Sequence, residues 1–144
     1  PQYIAAEAVV DKCIIGEGTE IYGEVHNSVI GPNVTIGKGS VIRDSIIMKN
    51  TAVGENVVMD KAIVAEDVVI GNNVVIGCGE EVTNVLKPAV YSFGLVAIGE
   101  NSTIPDNVKI GKNTDISGVT AKEDYPDGEL AGGQVIAAKD GDKA

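Results

Sequence analysis

The sequence is poor in the residues from which most cores and catalytic sites are built. It contains no tryptophan, one phenylalanine and one histidine, and aromatic residues make up only 3% of its 144 positions. Hydrophobic residues nevertheless account for 44%. The core must therefore consist mainly of valine and isoleucine, whose β-branched side chains favour strands.

Basic residues are also scarce, since Arg43 is the only arginine and the formal net charge is −10. A nucleic-acid surface requires clustered lysine and arginine, so we expect no nucleic-acid partner. No apolar run approaches the roughly 20 residues of a transmembrane helix, and no secretory signal is visible. We expect a cytoplasmic location without a membrane partner, and Cys13 and Cys78 as reduced thiols.

An internal repeat is the strongest pattern in the sequence. Units of 17 residues, each divided into five, six and six, occupy 25–41, 42–58 and 59–75, after a shorter unit at 10–24. An aliphatic residue opens almost every segment, and a small or β-branched residue follows four positions later in each hexad. We expect these two sets to face one interior: Ile30, Ile36, Ile42, Ile47, Val53, Met59, Val64, Ile70 and Ile76, with Val34, Ser40, Val57, Val68 and Val74.

The six-residue period selects the fold class. It is too short for hairpin strands with their turns, and an amphipathic helix would repeat every three to four residues. The sequence predicts an all-β domain at 1–120, a single-stranded left-handed parallel β-helix built from hexapeptide repeats, each coil packing on its neighbours. The left-handed sense of the β-helix is what the hexapeptide class implies, because the spacing of the repeats does not determine it. Seven glycines that follow leading aliphatic residues are expected at tight bends: Gly31, Gly37, Gly54, Gly71, Gly77, Gly99 and Gly111.

Two segments depart from the repeat. An irregular insertion is expected at about 82–97, where Pro88, Tyr91 and Phe93 interrupt the period. It is interpreted either as a local hydrophobic plug or as a docking surface, because loops that leave a rigid scaffold often carry contacts. The C-terminal tail, 121–144, is expected to be partly disordered, with one last strand at its GGQVI string.

Catalytic residues are not apparent in this chain. Hexapeptide acyltransferases use a histidine as general base, and the carbonic-anhydrase kind binds zinc through three histidines. This chain has only His26, at a position expected to face outward, and its carboxylates fall at turns. We expect no catalytic residue, metal site or cofactor site here.

Several strings that depart from the bare repeat resemble a known family. They are PQYI, SVIGPNVTIGKGSVIRDSIIM, MDKAIVAEDVVIG and LKPAVYSFGLVAIGENSTIPDNVKIGKN. Over 1–120 the chain resembles the C-terminal domain of bacterial glucose-1-phosphate adenylyltransferases. The resemblance implies an N-terminal catalytic domain, absent from this chain, that uses magnesium and ATP to convert glucose 1-phosphate into ADP-glucose and pyrophosphate for glycogen synthesis. Because the chain begins at Pro1 without methionine, we expect it to be an excised piece of a longer protein. The resemblance implies that this piece is inactive and has assembly and allosteric roles.

The resemblance also suggests effector residues. Relatives carry a lysine in an IIDKN-like string that helps to bind phosphorylated activators, but the matching string here is IVAED, with Glu66 in place of that lysine. Lys122 is a loose counterpart of a second family lysine, and Arg43 and Lys61 are the other nearby cations. These three are the candidate effector site for a sugar phosphate, and Glu66 weighs against strong regulation because phosphate needs converging donors.

The expected partners are the chain's own catalytic domain and further subunits of a homo- or hetero-oligomer. Uncovered strand edges and apolar surface favour association, so the interface candidates are Val9, Val10, Ile14, Tyr91 and Phe93. Other readings remain open: the tail of another sugar-phosphate nucleotidyltransferase, such as a mannose-1-phosphate guanylyltransferase relative, a free-standing hexapeptide acyltransferase, or a structural scaffold.

Overall fold

The computed structural model describes residues 1–137, which form twenty short strands and two three-residue 3-10 helices, Lys122–Asp124 and Pro126–Gly128. None of the helices in this described part is long and apolar enough to cross a membrane. The strands form three sheets, here called faces A, B and C.

Face A contains six strands: β1 (Tyr3–Ile4), β4 (Glu20–Ile21), β7 (Thr35–Ile36), β10 (Ala52–Val53), β13 (Val69–Ile70) and β16 (Thr103–Ile104). Face B contains seven: β2 (Val9–Asp11), β5 (Glu24–His26), β8 (Val41–Arg43), β11 (Val58–Asp60), β14 (Val75–Cys78), β17 (Lys109–Gly111) and β19 (Glu129–Leu130). Face C also contains seven: β3 (Ile14–Ile15), β6 (Val29–Ile30), β9 (Ile46–Ile47), β12 (Ala62–Val64), β15 (Val96–Ile98), β18 (Thr114–Ser117) and β20 (Val135–Ala137). Each of the first six coils contributes one strand to each face in turn.

Strand pairing confirms the repeat. Every pair is parallel, and Ala52 of β10 pairs with Thr35 and with Val69, at the predicted step of 17 residues. The first coil is shorter, since Val9 of β2 pairs with Glu24 of β5. The predicted fold class, an all-β parallel β-helix of hexapeptide repeats, is confirmed.

The interior is the predicted aliphatic column. All fourteen positions expected to face inward are buried, and Ile36, Ile42 and Met59 are 0% exposed. Full burial of such a side chain stabilises a fold by about 1.5–3 kcal/mol. Because neighbouring coils supply the contacts, the column holds the coils together.

The corners correct one expectation. The backbone is left-handed at Asn33, Asn56 and Asn73, two residues beyond the glycines, and among the seven predicted bend glycines only Gly77 has a positive φ. Gly54 has another reason to be glycine, because a Cβ there would lie 2.5 Å from Asn72 Oδ1 of the next coil. The predicted reason therefore holds for Gly77 and is wrong for the other six. Asparagine tolerates the left-handed bend, while glycine permits the close approach of stacked coils.

The insertion occupies 79–95, between β14 and β15, and forms no strand. Across it the pairing step doubles to 34 residues, as between Val69 and Thr103. The sequence placed the insertion at 82–97, but the ladder resumes at Val96, which pairs with Thr114. The aliphatic side chains of β15 return to the interior as soon as the corner is reached.

The β-helix also extends beyond the predicted boundary at residue 120. Val119 forms a parallel bridge to Thr103, and β19 and β20 complete a seventh coil. Tyr125 and Leu130 are buried against this coil, at 2% and 7% exposed, so burial of apolar side chains continues there. The last strand was expected at the GGQVI string. The tail beyond Ala137, for which disorder was expected, lies outside the described residues.

Candidate functional site

Two of the three candidate effector residues meet at the corner between faces B and C. Arg43 ends β8, and Lys61 is the corner residue after β11, one coil further on. The Lys61 backbone N–H donates to the Arg43 carbonyl over 3.1 Å. Both side chains are exposed, and neither forms an ion pair with another described residue. The two cations therefore lie on successive coils at one corner, but the residue that strand register sets beside Arg43 is Asp60.

A third cation, which the sequence reasoning missed, approaches the same corner. The Cδ atoms of Lys61 and Lys112 each lie 3.6 Å from the point that a Cβ on Gly94 would occupy. Glu81 Oε1 lies at the same distance from that point. These groups come together because the insertion returns to this corner. The sequence contains no local signal for that return.

Lys122 lies elsewhere. It lines a hollow of 220 Å³ with Asp106, Asn107 and Gly128, at the corner between faces A and B. Face B separates this corner from the one that carries Arg43 and Lys61. The structure therefore does not unite the three candidates in one site.

Glu66, at the position of the family lysine, pairs with a cation from the preceding coil. Its Oε2 lies 3.7 Å from Lys49 Nζ, with the two side chains 40% and 52% exposed. Exposed pairs of this kind contribute about 0–1 kcal/mol. Asp67 follows Glu66 at the same corner, so the local charge there does not favour an anion.

His26 lies on the outward side of face B. Its Nε2 is 3.3 Å from Glu24 Oε2, and its Nδ1 is 3.9 Å from Asp11 Oδ2. The side chain is 23% exposed, so the predicted outward position is correct but the ring is partly covered. Both ring nitrogens face carboxylates of β2 and β5.

A surface groove of 490 Å³ lies on face B, beside the start of the insertion. It is lined by Val75, Cys78, Lys109, Glu129, Leu130 and neighbouring glycines. Cys78 Sγ donates to the Ile110 carbonyl over 3.4 Å. Cys13 and Cys78 are both free thiols, as expected for two reduced cysteines.

Two buried asparagines hold the insertion in place. Asn84 and Asn113 are 2% and 3% exposed, and Asn84 Nδ2 donates to the Asn113 carbonyl over 2.7 Å. Asn113 Nδ2 donates to the Val82 carbonyl, and Asn113 Oδ1 accepts from Gly94 N–H. Asn84 Oδ1 accepts from Leu86 N–H over 2.9 Å. These contacts, which we name the asparagine clasp, were not predicted, because asparagine is common at every corner of this repeat.

Comparison with known families supports the repeat assignment. A profile described as GlmU-like, C-terminal hexapeptide, matches residues 3–97, well over half of the chain. The chain belongs to this hexapeptide family. The β-helix described above, called the hexapeptide domain from here on, is thus of a kind that recurs in other members of this family.

Curated relatives are more specific. The hexapeptide domain is 65% identical over 136 residues to the glucose-1-phosphate adenylyltransferase of Lachnospira eligens, and 52% identical over 140 residues to that of Thermotoga neapolitana. These matches cover 94% and 97% of this chain but 32% and 33% of the relatives. The chain spans about one third of the length of the curated relatives it matches. The resemblance predicted from the sequence is confirmed.

Among solved structures, the acetyltransferase domain of PglB from Neisseria gonorrhoeae FA1090 shares 17% identity with a TM-score of 0.49. The match covers 92% of this chain and 55% of that one. At that score the likeness carries no information on function.

The apolar surface of the hexapeptide domain includes the predicted interface candidates. Val9, Ile14 and Phe93 are 42%, 70% and 80% exposed, and Val10 and Tyr91 are partly buried. The insertion exposes further apolar side chains: Val82, Val85, Leu86 and Val90. Since none of 79–95 belongs to the described hydrophobic core, the insertion is not a plug, and the docking interpretation is favoured.

Tyr91 shows where the insertion contacts the β-helix. Burial raises the pKa of its phenol, and a hydrogen bond to Asp115 on the outward side of β18 raises this pKa further. The insertion therefore reaches from the B–C corner onto face C at the sixth coil, which contains β16 to β18.

Proposed function

We propose that this chain is the assembly and allosteric-regulatory domain of a glucose-1-phosphate adenylyltransferase. That enzyme makes ADP-glucose and pyrophosphate from ATP and glucose 1-phosphate for glycogen synthesis, in the cytoplasm. The observation that carries the proposal is the 65% identity to the Lachnospira eligens enzyme over 94% of this chain. In this proposal ATP and magnesium bind in the portion of the enzyme outside these residues.

The chain's own side chains support a non-catalytic role. His26, the only histidine, has both ring nitrogens directed at carboxylates and lines none of the grooves described above. Within residues 1–137, no three or more His, Cys, Asp or Glu side chains are grouped so that they could hold a metal ion. A role in assembly and regulation requires neither a nucleophile nor a metal.

The exposed end of the β-helix supports contact with a catalytic domain. Tyr3 and Ile4 of β1 are 54% and 48% exposed, and Val9 and Ile14 continue this apolar surface within the first coil. An uncovered strand edge pairs readily with another element. We place the contact with the catalytic domain on the first coil.

For regulation, Arg43 and Lys61 together are one candidate site for a sugar phosphate, and Lys122 is a separate candidate. Phosphate needs converging donors, and Asp60, which strand register sets beside Arg43, lowers the positive charge there. The balanced pair Lys49–Glu66 occupies the family's activator position, so the proposed regulation is weak. Loss of sugar-phosphate activation of the full-length enzyme in Arg43→Ala but not in Lys122→Ala would assign the site to Arg43 and Lys61, and the reverse result would assign it to Lys122.

A direct assay of the full-length gene product tests the proposed activity. It should release pyrophosphate from ATP only when glucose 1-phosphate and magnesium are present, and the 144-residue chain alone should release none. Activity with GTP and mannose 1-phosphate instead would favour another sugar-phosphate nucleotidyltransferase. Acetyl transfer from acetyl-CoA by this chain, lost in His26→Ala, would favour an acyltransferase.

A further inference from the structure

The insertion, 79–95, leaves the fifth coil but forms hydrogen bonds with the two coils that follow. Asn84 Nδ2 donates to the Asn113 carbonyl over 2.7 Å, and the next residue, Val85, donates its backbone N–H to the Gly133 carbonyl over 2.8 Å. Asn113 lies at the B–C corner of the sixth coil, and Gly133 lies at the same corner of the seventh. Two consecutive residues of the insertion therefore bridge two successive coils.

Packing at the corner of the seventh coil shows that this contact is close. Gly133 is buried and left-handed, with a φ of 78°, and a Cβ there would collide with the Thr83 carbonyl oxygen of the insertion. A Cβ on the neighbouring Gly132 would lie 3.4 Å from the Glu80 carbonyl oxygen. The first part of the insertion thus covers this corner.

The asparagine clasp fixes both parts of the insertion to the sixth coil. Asn113 Nδ2 donates to the Val82 carbonyl over 2.9 Å, and Asn113 Oδ1 accepts from Gly94 N–H over 2.8 Å. The Tyr91 phenol forms a hydrogen bond with Asp115 of β18 in the same coil. The insertion therefore begins and ends on the fifth coil, is fixed to the sixth and reaches the seventh.

The seventh coil has few other contacts to hold it. Among residues 1–137, β19 and β20 each pair with one strand, whereas strands of the central coils pair on both sides. On face A this coil contributes a bridge from Val119 to Thr103, and Val135 and Ile136 of β20 are partly buried. In a stacked repeat each coil is stabilised by its neighbours, so a terminal coil with one neighbour opens most readily.

We propose that the insertion is a strap that holds the seventh coil closed, so that 79–95 and 129–137 open and close as one unit. Release of the strap removes the hydrogen bond to Gly133 and leaves the sixth coil as the neighbour of the seventh. Opening uncovers Leu130, which is 7% exposed in the closed state. It also changes the hollow that contains Lys122, because Gly128, which lines that hollow, directly precedes β19. This coupling does not depend on the proposed function.

Hydrogen–deuterium exchange of the 144-residue chain tests the strap from the side of the insertion. Asn84→Ala removes a side chain whose hydrogen bonds reach the sixth coil and the insertion but not the seventh coil. It should raise the exchange rates of the insertion at least about fivefold, because buried hydrogen bonds are lost, and those of β20 by a similar factor. Leu86→Ala is the matched control, since Leu86 lies in the same segment and is 67% exposed, and it should change neither rate.

A second substitution tests the strap from the side of the seventh coil. Gly133→Ala forces this corner away from Thr83, so it should raise the exchange rates of the insertion as well as those of β20, again at least about fivefold. Gly132→Ala is its control, because the added Cβ would lie at an ordinary contact distance of 3.4 Å from its neighbours. Amides of the first four coils should keep their rates in every variant, which shows that each variant is folded.

The strap requires both segments to respond to either change. Faster exchange confined to the insertion in Asn84→Ala, or confined to the seventh coil in Gly133→Ala, would overturn the proposal. Unchanged exchange in both segments would overturn it as well. Pyrophosphate release enters none of these measurements, so failure here is distinct from failure of the proposed activity.

Discussion

Replacing Ile70 with aspartate tests whether the residue that opens each hexad faces the interior. Ile70 lies on β13, is 2% exposed and stacks between Val53 and Ile104 of the adjacent coils. Loss of the isoleucine side chain alone costs about 2–5 kcal/mol, and burial of a carboxyl group without a hydrogen-bond donor adds about 1–3 kcal/mol more. Domains of this size are stable by about 5–15 kcal/mol in total. Ile70→Asp should therefore lower the free energy of unfolding by about 3–8 kcal/mol, a large fraction of that total.

The adjacent residue provides a matched control. Val69 lies on the same strand but faces outward and is 50% exposed, so Val69→Asp should change the free energy of unfolding by less than about 1 kcal/mol. Thermal and urea unfolding, followed by circular dichroism, should show a large loss for Ile70→Asp alone. Because coils contact only their neighbours, this central substitution should also divide the unfolding transition. Equal melting temperatures for the two variants would refute the inward assignment.

Four further substitutions test the clasp, the last coil and the corners. Asn113→Ala should lower the free energy of unfolding by about 1–3 kcal/mol, because it leaves buried polar groups unsatisfied. It should also make the insertion sensitive to limited proteolysis, and an unchanged cleavage rate would contradict the clasp. Burial raises the pKa of Tyr125 above its ordinary value of 10.0. The contribution of the buried, protonated phenol to stability is therefore fully present below that value and is lost as pH rises towards the folded-state pKa. Melting temperatures from about pH 9 to 11 should fall more steeply for the unmodified chain than for Tyr125→Phe, and parallel curves would argue against this burial. Gly54→Ala, whose Cβ would lie 2.7 Å from the Gly71 carbonyl oxygen, should cost about 1–3 kcal/mol through overpacking. Gly99→Ala, with 3.3 Å to the nearest atom, should cost clearly less, and the reverse order would refute the close-approach explanation.

The fold could be predicted from the sequence because the repeat specifies it locally. In a strand, side chains alternate between the two sides of a sheet, so the period of leading aliphatic residues determines which side chains point inward. Ile36 and Met59 lie in different coils but obey the same rule, and both are fully buried. The seventh coil was missed because Tyr125 and Leu130, which close it, do not follow the hexapeptide spacing.

The candidate sites were less predictable, because they join residues that are far apart in sequence. Arg43 and Lys61 lie on successive coils and are joined by a backbone hydrogen bond, whereas Lys122 lies at another corner. Lys112 approaches Lys61 only because the insertion brings Gly94 between them. Asn84 and Asn113 form their clasp across 29 residues, a distance over which the repeat carries no information.

The sequence by itself determined the period, the inward column and therefore the parallel β-helix, since these depend on alternation and spacing within each coil. Tertiary structure alone decided what lies one coil away: the close approach that requires Gly54 to be glycine, and the clasp at Asn113. The physical reason is that stacking sets residues 17 or 34 positions apart side by side. Contacts between coils depend on that stacking and on the insertion, and not on the composition of any single hexad.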